Sequence, residues 1–250
     1  MKKILIILVL SALAAGSYYF YGLMDENKNP TIMLIDGAKI RASELLAFKI
    51  NGKPCESVEK CLDKFIEMQL LLSYGKKNKL DKDPSLQDVQ PEVFNDKLAA
   101  MVLEKAFSSI NSSPSIEETE AYLKIYKGKV SITTYAYEDM ESAKSGGDPS
   151  GKSKTISFEK LSGPVSYRVG MLSPGEKTNP YKTETGYEII QLDMMEQDLA
   201  AIGHIPENDK KAITEKLEKD KKEFLFEKWK YELKEKADIR TTDKLKEIRL

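Results

Sequence analysis

The C-terminal region constrains the fold most, because it predicts one long helix that cannot stand alone. From Ile205 to Ala237 the sequence is highly charged, and Pro206 stands near its start. One apolar stripe runs along it: Ile213, Leu217, Phe224, Leu225, Trp229 and Leu233. A single helix of this kind is not stable as a monomer in water, so its stripe must pack against another part of the chain. The N-terminal helices, which carry apolar stripes of their own, are the expected partner.

The N-terminal third predicts a hairpin followed by helices. The segment TIMLIDGAKI, from Thr31 to Ile40, indicates two short strands around the turn dipeptide Asp36-Gly37. Ser43 is a candidate N-cap for the short helix that follows. Helical spacing of apolar residues, and a capping box in one segment, then predict three further helices: 57–77, 91–110, and a segment capped by Ser115 and Glu118 that ends near Tyr126.

The periodicity changes after Gly128. VSITTYAY, from Val130 to Tyr137, is rich in β-branched and aromatic residues and predicts a strand. A flexible loop is predicted over 145–154, and 156–169 reads as one strand with a turn at Gly163-Pro164. The segment LSPGEKTNPYKTETGYEIIQL ends in another strand. The sequence therefore predicts an α+β protein in which a small strand-rich insert interrupts a helical framework.

The N-terminus indicates export. Lys2 and Lys3 precede an uncharged run from Ile4 to Met24. In one interpretation this run is a secretory signal with a cleavage site of the A-x-A type at Ala12-Leu13-Ala14. In the other it is an uncleaved anchor, because as a helix it spans about 31 Å and ends in aromatic residues suited to a membrane interface. Both interpretations place the rest of the chain across the membrane.

We therefore expect residues 1–24 to be a signal or membrane anchor and residues 25–30 to be a polar linker. The expected location is periplasmic, with anchoring in the inner membrane if 4–24 are retained. In that oxidising compartment Cys55 and Cys61 are candidates for a local disulfide.

The spacing of the two cysteines limits how they can pair. Six residues on a straight helix would hold the sulfurs too far apart, so a bridge requires Cys55 to lie in the turn before the helix, as Pro54 suggests. The alternative is two ordinary thiols near the start of a helix. No redox or zinc motif of note has this spacing.

Composition argues against several classes of protein. The chain has one histidine, His204, and two cysteines, which leaves little material for a zinc site or a Ser-His-Asp triad. A net charge of −1 without a basic stripe argues against nucleic acid as the main partner. We expect no metal site, no cofactor and no nucleic-acid partner.

Three stretches, taken in order, resemble a known family. They are IDGAKIRASELLAF with VEKCLDKFIEMQLLLSYGKKNKL, then SIEETEAYLKIYKGKVSITTYAY, then LSPGE with TGYEIIQL, and the ending EKWKYELKEKADI follows them. Together they resemble the SurA/PpiD/PrsA group of exported folding factors. The resemblance implies a helical chaperone domain over 31–127, completed by a C-terminal segment, 198–250, that packs back on it. Between them it implies a parvulin-like prolyl isomerase domain over 128–197.

The departures from that family concern catalysis. Active parvulins carry one histidine on the first strand and another in the last, within a G-Y-H-I-I context. Here the matching positions hold Thr134 (or Thr133) and Glu188. The insert is also shorter than an intact domain, which by the resemblance implies that the cleft for the proline ring is largely missing. Because isomerisation needs a shaped pocket that favours the twisted amide, the resemblance implies a degenerate domain without catalytic residues.

Three functions compete at this stage. The first is an extracytoplasmic chaperone that binds unfolded or nascent exported polypeptides without ATP, through apolar and adaptable methionine side chains. Six methionines could serve in this way, with ordinary packing in the core as the alternative for each: Met33, Met68, Met101, Met140, Met194 and Met195. The second is an active peptidyl-prolyl isomerase that uses other residues, such as Thr134, Tyr135 or Glu188. The third is a dedicated structural partner in one envelope complex.

Overall fold

The computed structural model describes the following residues: 28–50, 52–146, 150–183, 185–197 and 205–248. The predicted signal or anchor (1–24) and His204 lie outside them. Among the helices within these ranges, none is both long enough and apolar enough to cross a membrane.

The chain contains both helices and antiparallel strands. The α-helices of the described residues are α1 (Ala42–Leu46), α2 (Val58–Lys77), α3 (Pro91–Ser109), α4 (Ile116–Tyr126), α5 (Met140–Ser145), α6 (Gly163–Gly170) and α7 (Glu207–Glu235). The strands are β1 (Thr31–Ile35), β2 (Ala38–Arg41), β3 (Lys49–Ile50), β4 (Lys53–Pro54), β5 (Lys129–Tyr137), β6 (Lys152–Ser157), β7 (Tyr181–Lys182), β8 (Tyr187–Glu196) and β9 (Ile239–Thr241). The α+β class predicted from the sequence is confirmed.

The chain forms two compact units. Unit 1 consists of the described parts of Met1–Lys105 and Tyr231–Leu250, and unit 2 consists of those of Ala106–Lys230. The sequence-based boundary lay at 127/128, so it assigned α4 to the N-terminal domain. In the structure Tyr122 and Ile125 of α4 belong to the core of unit 2.

Unit 1 is built from both ends of the chain. β1 is the central strand of a three-stranded antiparallel sheet, paired on one side with β2 and on the other with β9. The predicted hairpin around Asp36-Gly37 is confirmed, with both residues at positive φ. Leu233 and Ile239, from the end of the chain, pack against the core residues of this unit. The C-terminal segment therefore completes the N-terminal sheet and core.

The start of α1 differs from the prediction, which took Ser43 as the cap. The helix begins at Ala42, and the Arg41 N–H donates to the Glu44 Oε1 at 2.9 Å. Ser43 lies inside the first turn, where its hydroxyl accepts a hydrogen bond from the Asn29 side chain at 2.8 Å. Asn29, which precedes β1, supports this turn through hydrogen bonds to the side chain and backbone of Ser43.

A disulfide joins Cys55 to Cys61, with 6.0 Å between the two Cα atoms. Cys55 precedes α2, which begins at Val58, and Cys61 is buried in the first turns of that helix. The bond therefore ties the segment that carries β3 and β4 to α2.

Unit 2 contains a four-stranded antiparallel sheet with the strand order β6-β5-β8-β7. One face carries the core residues Val130, Ile132, Ile190 and Leu192. The same core includes Tyr122, Phe158, Ile213 and Leu217, the last two from α7. The first part of the α7 stripe therefore covers this sheet, whereas the sequence interpretation placed the whole stripe on the N-terminal helices. A strand face of alternating aliphatic residues needs a cover, and α7 supplies it.

The segment between β5 and β8 was the least well predicted. β6 begins at Lys152, inside the predicted loop 145–154, and pairs with β5 through Ser157. The stretch 156–169 ends in a helix, α6, rather than a strand and turn. Polar residues such as Lys152 and Lys154 become a strand because β5 offers its edge, which no local pattern reveals.

Candidate functional site on the strand-rich unit

Thr134 and Glu188, the positions matched to the parvulin histidines, lie on one face of adjacent strands. Thr134 is opposite Ile190, and Ala136 is opposite Glu188. Because cross-strand partners share a face and side chains alternate, these four residues face the same side of the sheet. Ile132 lies two residues before Thr134 and belongs to the buried core. Thr134 and Glu188 are therefore diagonal neighbours on the core-facing side of the sheet, just past the end of the buried core.

The backbone requires a glycine at Gly186, the first residue of the GYEII motif. Its φ is +153°, and a β-carbon there would collide with the backbone carbonyl of Tyr137. Tyr187 pairs with Tyr137 immediately afterwards. The glycine lets β8 begin beside the end of β5, which fixes the register that places Glu188 opposite Ala136.

Glu188 is half-buried and bound to its cross-strand neighbour. The Tyr181 hydroxyl donates to its Oε2 at 2.9 Å, and Tyr181 lies directly opposite it on β7. Burial raises the pKa of the Tyr181 phenol above its ordinary value, and the Glu188 carboxylate raises it further. The phenol is therefore a proton-bearing donor at neutral pH.

Arg168 of α6 connects this pair to α7. Its guanidinium carbon lies 4.2 Å from the centre of the Tyr181 ring and 5.0 Å from that of Phe224. One terminal nitrogen pairs with the Glu227 carboxylate at 2.8 Å, and the Arg168 side chain is only 10% exposed. A flat guanidinium between two aromatic rings, with a carboxylate at its edge, is a favourable arrangement. We call Arg168, Tyr181, Glu188, Phe224 and Glu227 the Arg168 cluster.

The chemistry open to the Arg168 cluster is limited. Glu188 can accept hydrogen bonds but already holds the Tyr181 proton donor, and Arg168 is already paired with Glu227. Isomerisation would require donors directed at an imide inside a water-excluding pocket. Here an arginine side chain packs between two rings instead. The cluster fastens β7 and β8 to α6 and α7.

Thr133 and Tyr135, the other residues considered for catalysis, face away from Glu188. The Thr133 hydroxyl lies 2.7 Å from the Ser153 hydroxyl and donates to Asp193 at 2.6 Å. The Tyr135 hydroxyl donates to Gln191 at 3.3 Å. Of the positions named from the sequence, the structure brings Thr134 and Glu188 together and leaves Thr133 and Tyr135 on the opposite face.

A buried polar cluster in unit 2 was not predicted from the sequence. Asp220 is 2% exposed, and its carboxylate accepts from the Tyr122 hydroxyl at 2.8 Å and from the Gly163 N–H at 2.8 Å. Lys216 lies one turn earlier on α7, with its ammonium 2.6 Å from Asp220 and 3.2 Å from the Ser166 hydroxyl. We call Tyr122, Gly163, Ser166, Lys216 and Asp220 the Asp220 cluster.

The Asp220 cluster is structural rather than catalytic. A serine beside a lysine resembles a nucleophile with its base, but Ser166 is fully buried and the lysine is held by Asp220. Burial raises the pKa of the Tyr122 phenol, and the Asp220 charge adds to the effect. Gly163 has a φ of +62°, which suits glycine and allows its N–H to reach Asp220. The only sequence signal was an i, i+4 lysine–aspartate pair within a helix full of such charges.

The predicted capping box of α4 is confirmed and extended by α7. The Ser115 hydroxyl accepts from the Glu118 N–H at 3.2 Å, and the Ser115 N–H donates to Glu118 at 2.7 Å. Glu118 also accepts from the Tyr167 hydroxyl at 2.6 Å and from Lys221 at 2.7 Å. Burial raises the pKa of the Glu118 carboxyl, but the hydrogen bonds from Lys221, Tyr167 and Ser115 outweigh it and hold that pKa below its usual range.

Within the described ranges, no group of three or more histidine, cysteine, aspartate or glutamate side chains is placed to hold a metal ion. The sequence matches no protein-family model, and no curated protein is significantly similar to it.

Several solved structures are similar to this chain at low identity. A SurA-like chaperone of Campylobacter jejuni shares 11% identity at a TM-score of 0.34, covering 85% of this chain and 99% of that chain. The foldase protein PrsA of Lactococcus lactis shares 13% identity at 0.32, covering 86% and 95%. PrsA of Bacillus subtilis shares 18% identity at 0.26, covering 84% and 93%. Values this low transfer no function to this chain.

Proposed function

We propose that this protein is an extracytoplasmic chaperone of the SurA/PpiD/PrsA type that binds unfolded polypeptides without ATP. The observation that carries the proposal is the closure of unit 1 by the end of the chain. β9 pairs with β1 across about 200 residues, and the strand-rich unit is inserted between them. This is the organisation implied by the family resemblance of the quoted motifs, and it is supported by the chain's own strand pairing.

The inserted unit acts, in this proposal, as a structural module rather than an isomerase. Thr134 and Glu188 occupy the matched histidine positions, and Glu188 is bound by Tyr181. Arg168 fills the adjacent space between Tyr181 and Phe224. These contacts support a loss of catalysis, because the side chains that would twist a prolyl bond are replaced by a bound carboxylate and a hydroxyl.

Unfolded clients would be held by reversible apolar contact. In unit 1, Leu46 is 48% exposed and Val93 is 41% exposed. In unit 2, Ile116 and Met194 are exposed to at least half. Among the methionines, Met33 is fully buried and fills the core, whereas Met194 is available at the surface. Such scattered apolar side chains suit weak, promiscuous binding.

The proposed location is the periplasm, with clients that have been exported or are emerging from export. The uncharged run that follows Lys2 and Lys3 supports passage across the membrane. The disulfide between Cys55 and Cys61 fits an oxidising compartment. If residues 4–24 are retained, the inner membrane is the anchoring surface.

Suppression of client aggregation tests the chaperone role. The full-length protein, without ATP, should slow the aggregation of a chemically unfolded client at a few-fold molar excess. Leu46→Ser with Val93→Ser should weaken the effect, whereas Leu46→Met with Val93→Ile should preserve it. Unchanged aggregation at several-fold excess of the wild type would refute the chaperone role.

A proline-peptide isomerisation assay tests the non-catalytic role separately. We expect no acceleration above the uncatalysed rate. If acceleration were found and were lost in Thr134→Ala or Glu188→Gln, the inserted unit would be an isomerase that uses unusual residues. Crosslinking in the native envelope would distinguish many clients from one stoichiometric partner.

A further inference from the structure

The two edges of the four-stranded sheet in unit 2 differ in their backbone pairing. Beyond β8, the segment 175–182 runs alongside and satisfies the strand's backbone. Thr178 N–H donates to Ile190 O at 2.8 Å, and Leu192 N–H donates to Glu176 O at 3.0 Å. On the other side the sheet ends at β6, whose residues 152–155 are all exposed. Among the described residues, no strand pairs with the outer edge of β6.

The open edge presents unpaired backbone groups over six residues. β6 pairs with β5 without interruption from Lys152 to Ser157. In an antiparallel pair, alternate residues direct their N–H and C=O groups away from the partner strand. Every second residue of β6 therefore offers both a donor and an acceptor in the plane of the sheet, along about 20 Å.

The side chains of this edge carry positive charge on one face. Lys152 is opposite Thr134 and Lys154 is opposite Ile132, so both lysines lie on the core-facing side, beyond the core. Neither ammonium forms an ion pair with a described residue, and both lysines are exposed. On the other face, Ser153 and Thr155 are already hydrogen-bonded to Thr133 and Ser131.

This charge pattern selects what can pair with the edge. A second copy of β6 would place lysines near lysines, which disfavours self-association. An added strand with acidic residues at alternate positions would place their Cβ atoms about 5 Å from those of the two lysines, as in other cross-strand pairs. Backbone hydrogen bonds would supply affinity, and the charges would supply specificity.

We propose that β6 is a docking edge for an extended acidic segment of an unfolded polypeptide, which adds to the sheet as a fifth strand. The inference rests on the proposed chaperone function, since it names one class of client segment and the place where that segment binds. It requires no apolar pocket, and it gives the inserted unit a role that does not depend on the lost histidines.

Peptide binding to the full-length protein tests the proposal. The probe is an acetylated, amidated peptide, TEVEVET, and the comparison peptide is TKVKVKT. We expect the acidic peptide to bind at low salt, to weaken as salt rises, and to slow amide exchange in β6. Lys152→Glu with Lys154→Glu should weaken it by about tenfold or more and favour the basic peptide instead. Lys124→Glu with Lys144→Glu, exposed lysines of α4 and α5, is the control with the same change in net charge.

Backbone methylation separates strand addition from simple charge attraction. Two versions of the acidic peptide carry N-methyl groups on alternate sets of residues. Only one set faces β6 in a paired strand, so one version should lose about tenfold or more in affinity and the other should bind as before. If both versions bind equally, or if the β6 amides exchange unchanged, strand addition is wrong.

The inference and the proposed function can fail independently. If Lys152→Glu with Lys154→Glu protects an acidic client as well as the wild type does, the docking edge is wrong while the chaperone role stands. If the acidic peptide adds to β6 but no client is protected, the chaperone role is wrong and the edge binds a dedicated acidic partner.

Discussion

The Asp220 cluster and the Arg168 cluster lie close together along α6 and α7 of unit 2, and they differ in how exposed their carboxylates are to solvent. Ser166 belongs to the Asp220 cluster, and Arg168, two residues later on α6, belongs to the Arg168 cluster. Asp220 is 2% exposed and accepts three hydrogen bonds, whereas Glu188 is half-buried and holds one from Tyr181. The position matched to a catalytic histidine is therefore less constrained than an aspartate that no motif singled out. In this unit, the stronger polar contacts fasten α7 to α4 and α6.

The largest loss of stability should come from Asp220→Ala, which tests the difference between the two clusters most directly. The substitution removes the buried carboxylate that the Lys216 ammonium, the Tyr122 hydroxyl and the Gly163 N–H share as an acceptor. Removing one partner of a buried ion pair costs about 3–5 kcal/mol. We expect that loss in the free energy of unfolding, measured in urea by the fluorescence of Trp229, the sole tryptophan of the chain.

The control for Asp220→Ala is an exposed pair of the same spacing on the same helix. Lys219 and Glu223 are also four residues apart, with 4.0 Å between the ammonium and the carboxylate, and their side chains are 76% and 36% exposed. Glu223→Ala should change stability by less than about 0.5 kcal/mol. In addition, Lys216→Met with Asp220→Ala should cost less than the sum of the single changes, because both charges are removed together. Equal losses at Asp220 and Glu223 would show that burial does not separate the two pairs.

Arg168→Met should have the next largest effect. It keeps a long apolar side chain but removes the cation between Tyr181 and Phe224 and the bond to Glu227. We expect a loss of about 2 kcal/mol in the same unfolding measurement, from cation–π contacts and a nearly buried ion pair. Arg168→Lys should recover only part of it, because an ammonium cannot stack flat between two rings. Full recovery by lysine would mean that charge alone matters there.

The sequence revealed the elements whose signals are local. The hairpin at Asp36-Gly37, the Ser115 capping box and the β8 strand were predicted because turn chemistry, capping and alternation act within a few residues. β6 was not predicted because its strand conformation depends on pairing with β5, the preceding strand, rather than on its own polar residues.

The candidate site was predictable only in part. Alternation placed Glu188 and Ile190 on one face, but the acceptance of the Tyr181 proton and the stacking of Arg168 depend on how β7, α6 and α7 come together. Likewise, Lys216 and Asp220 are one of several i, i+4 charge pairs on α7, and only tertiary packing buries this one. Periodicity identified α7 but did not show that Ile213 and Leu217 pack in unit 2.

Glu118→Gln should have a smaller effect that depends on pH. The pKa of the Glu118 carboxyl is below its ordinary value of 4.5 when the protein is folded. A lowered pKa stabilises the fold above about pH 4.5, and the contribution disappears as the pH falls through the lowered value. We therefore expect Glu118→Gln to cost about 1 kcal/mol at pH 7 and progressively less in acid. Glu120→Gln, at an exposed residue of the same helix, should change the free energy of unfolding by less than about 0.5 kcal/mol at pH 7.

Tyr181→Phe should have an effect of similar size at neutral pH, and its behaviour at alkaline pH compares the two clusters directly. Losing the hydroxyl that donates to Glu188 should cost about 1 kcal/mol at neutral pH. Burial, and then Glu188, raise the pKa of Tyr181 above its ordinary 10.0, so its contribution is complete below pH 10 and is lost as the pH rises through the raised value. The difference in stability between wild type and Tyr181→Phe should therefore narrow above pH 10.

Tyr122→Phe should start from a larger difference in stability, because Tyr122 is fully buried against Asp220, and that difference should also narrow above pH 10. The midpoints of urea unfolding between pH 7 and 11 measure both differences in stability. A difference that widens above pH 10 would contradict a protonated Tyr181 donor beside Glu188.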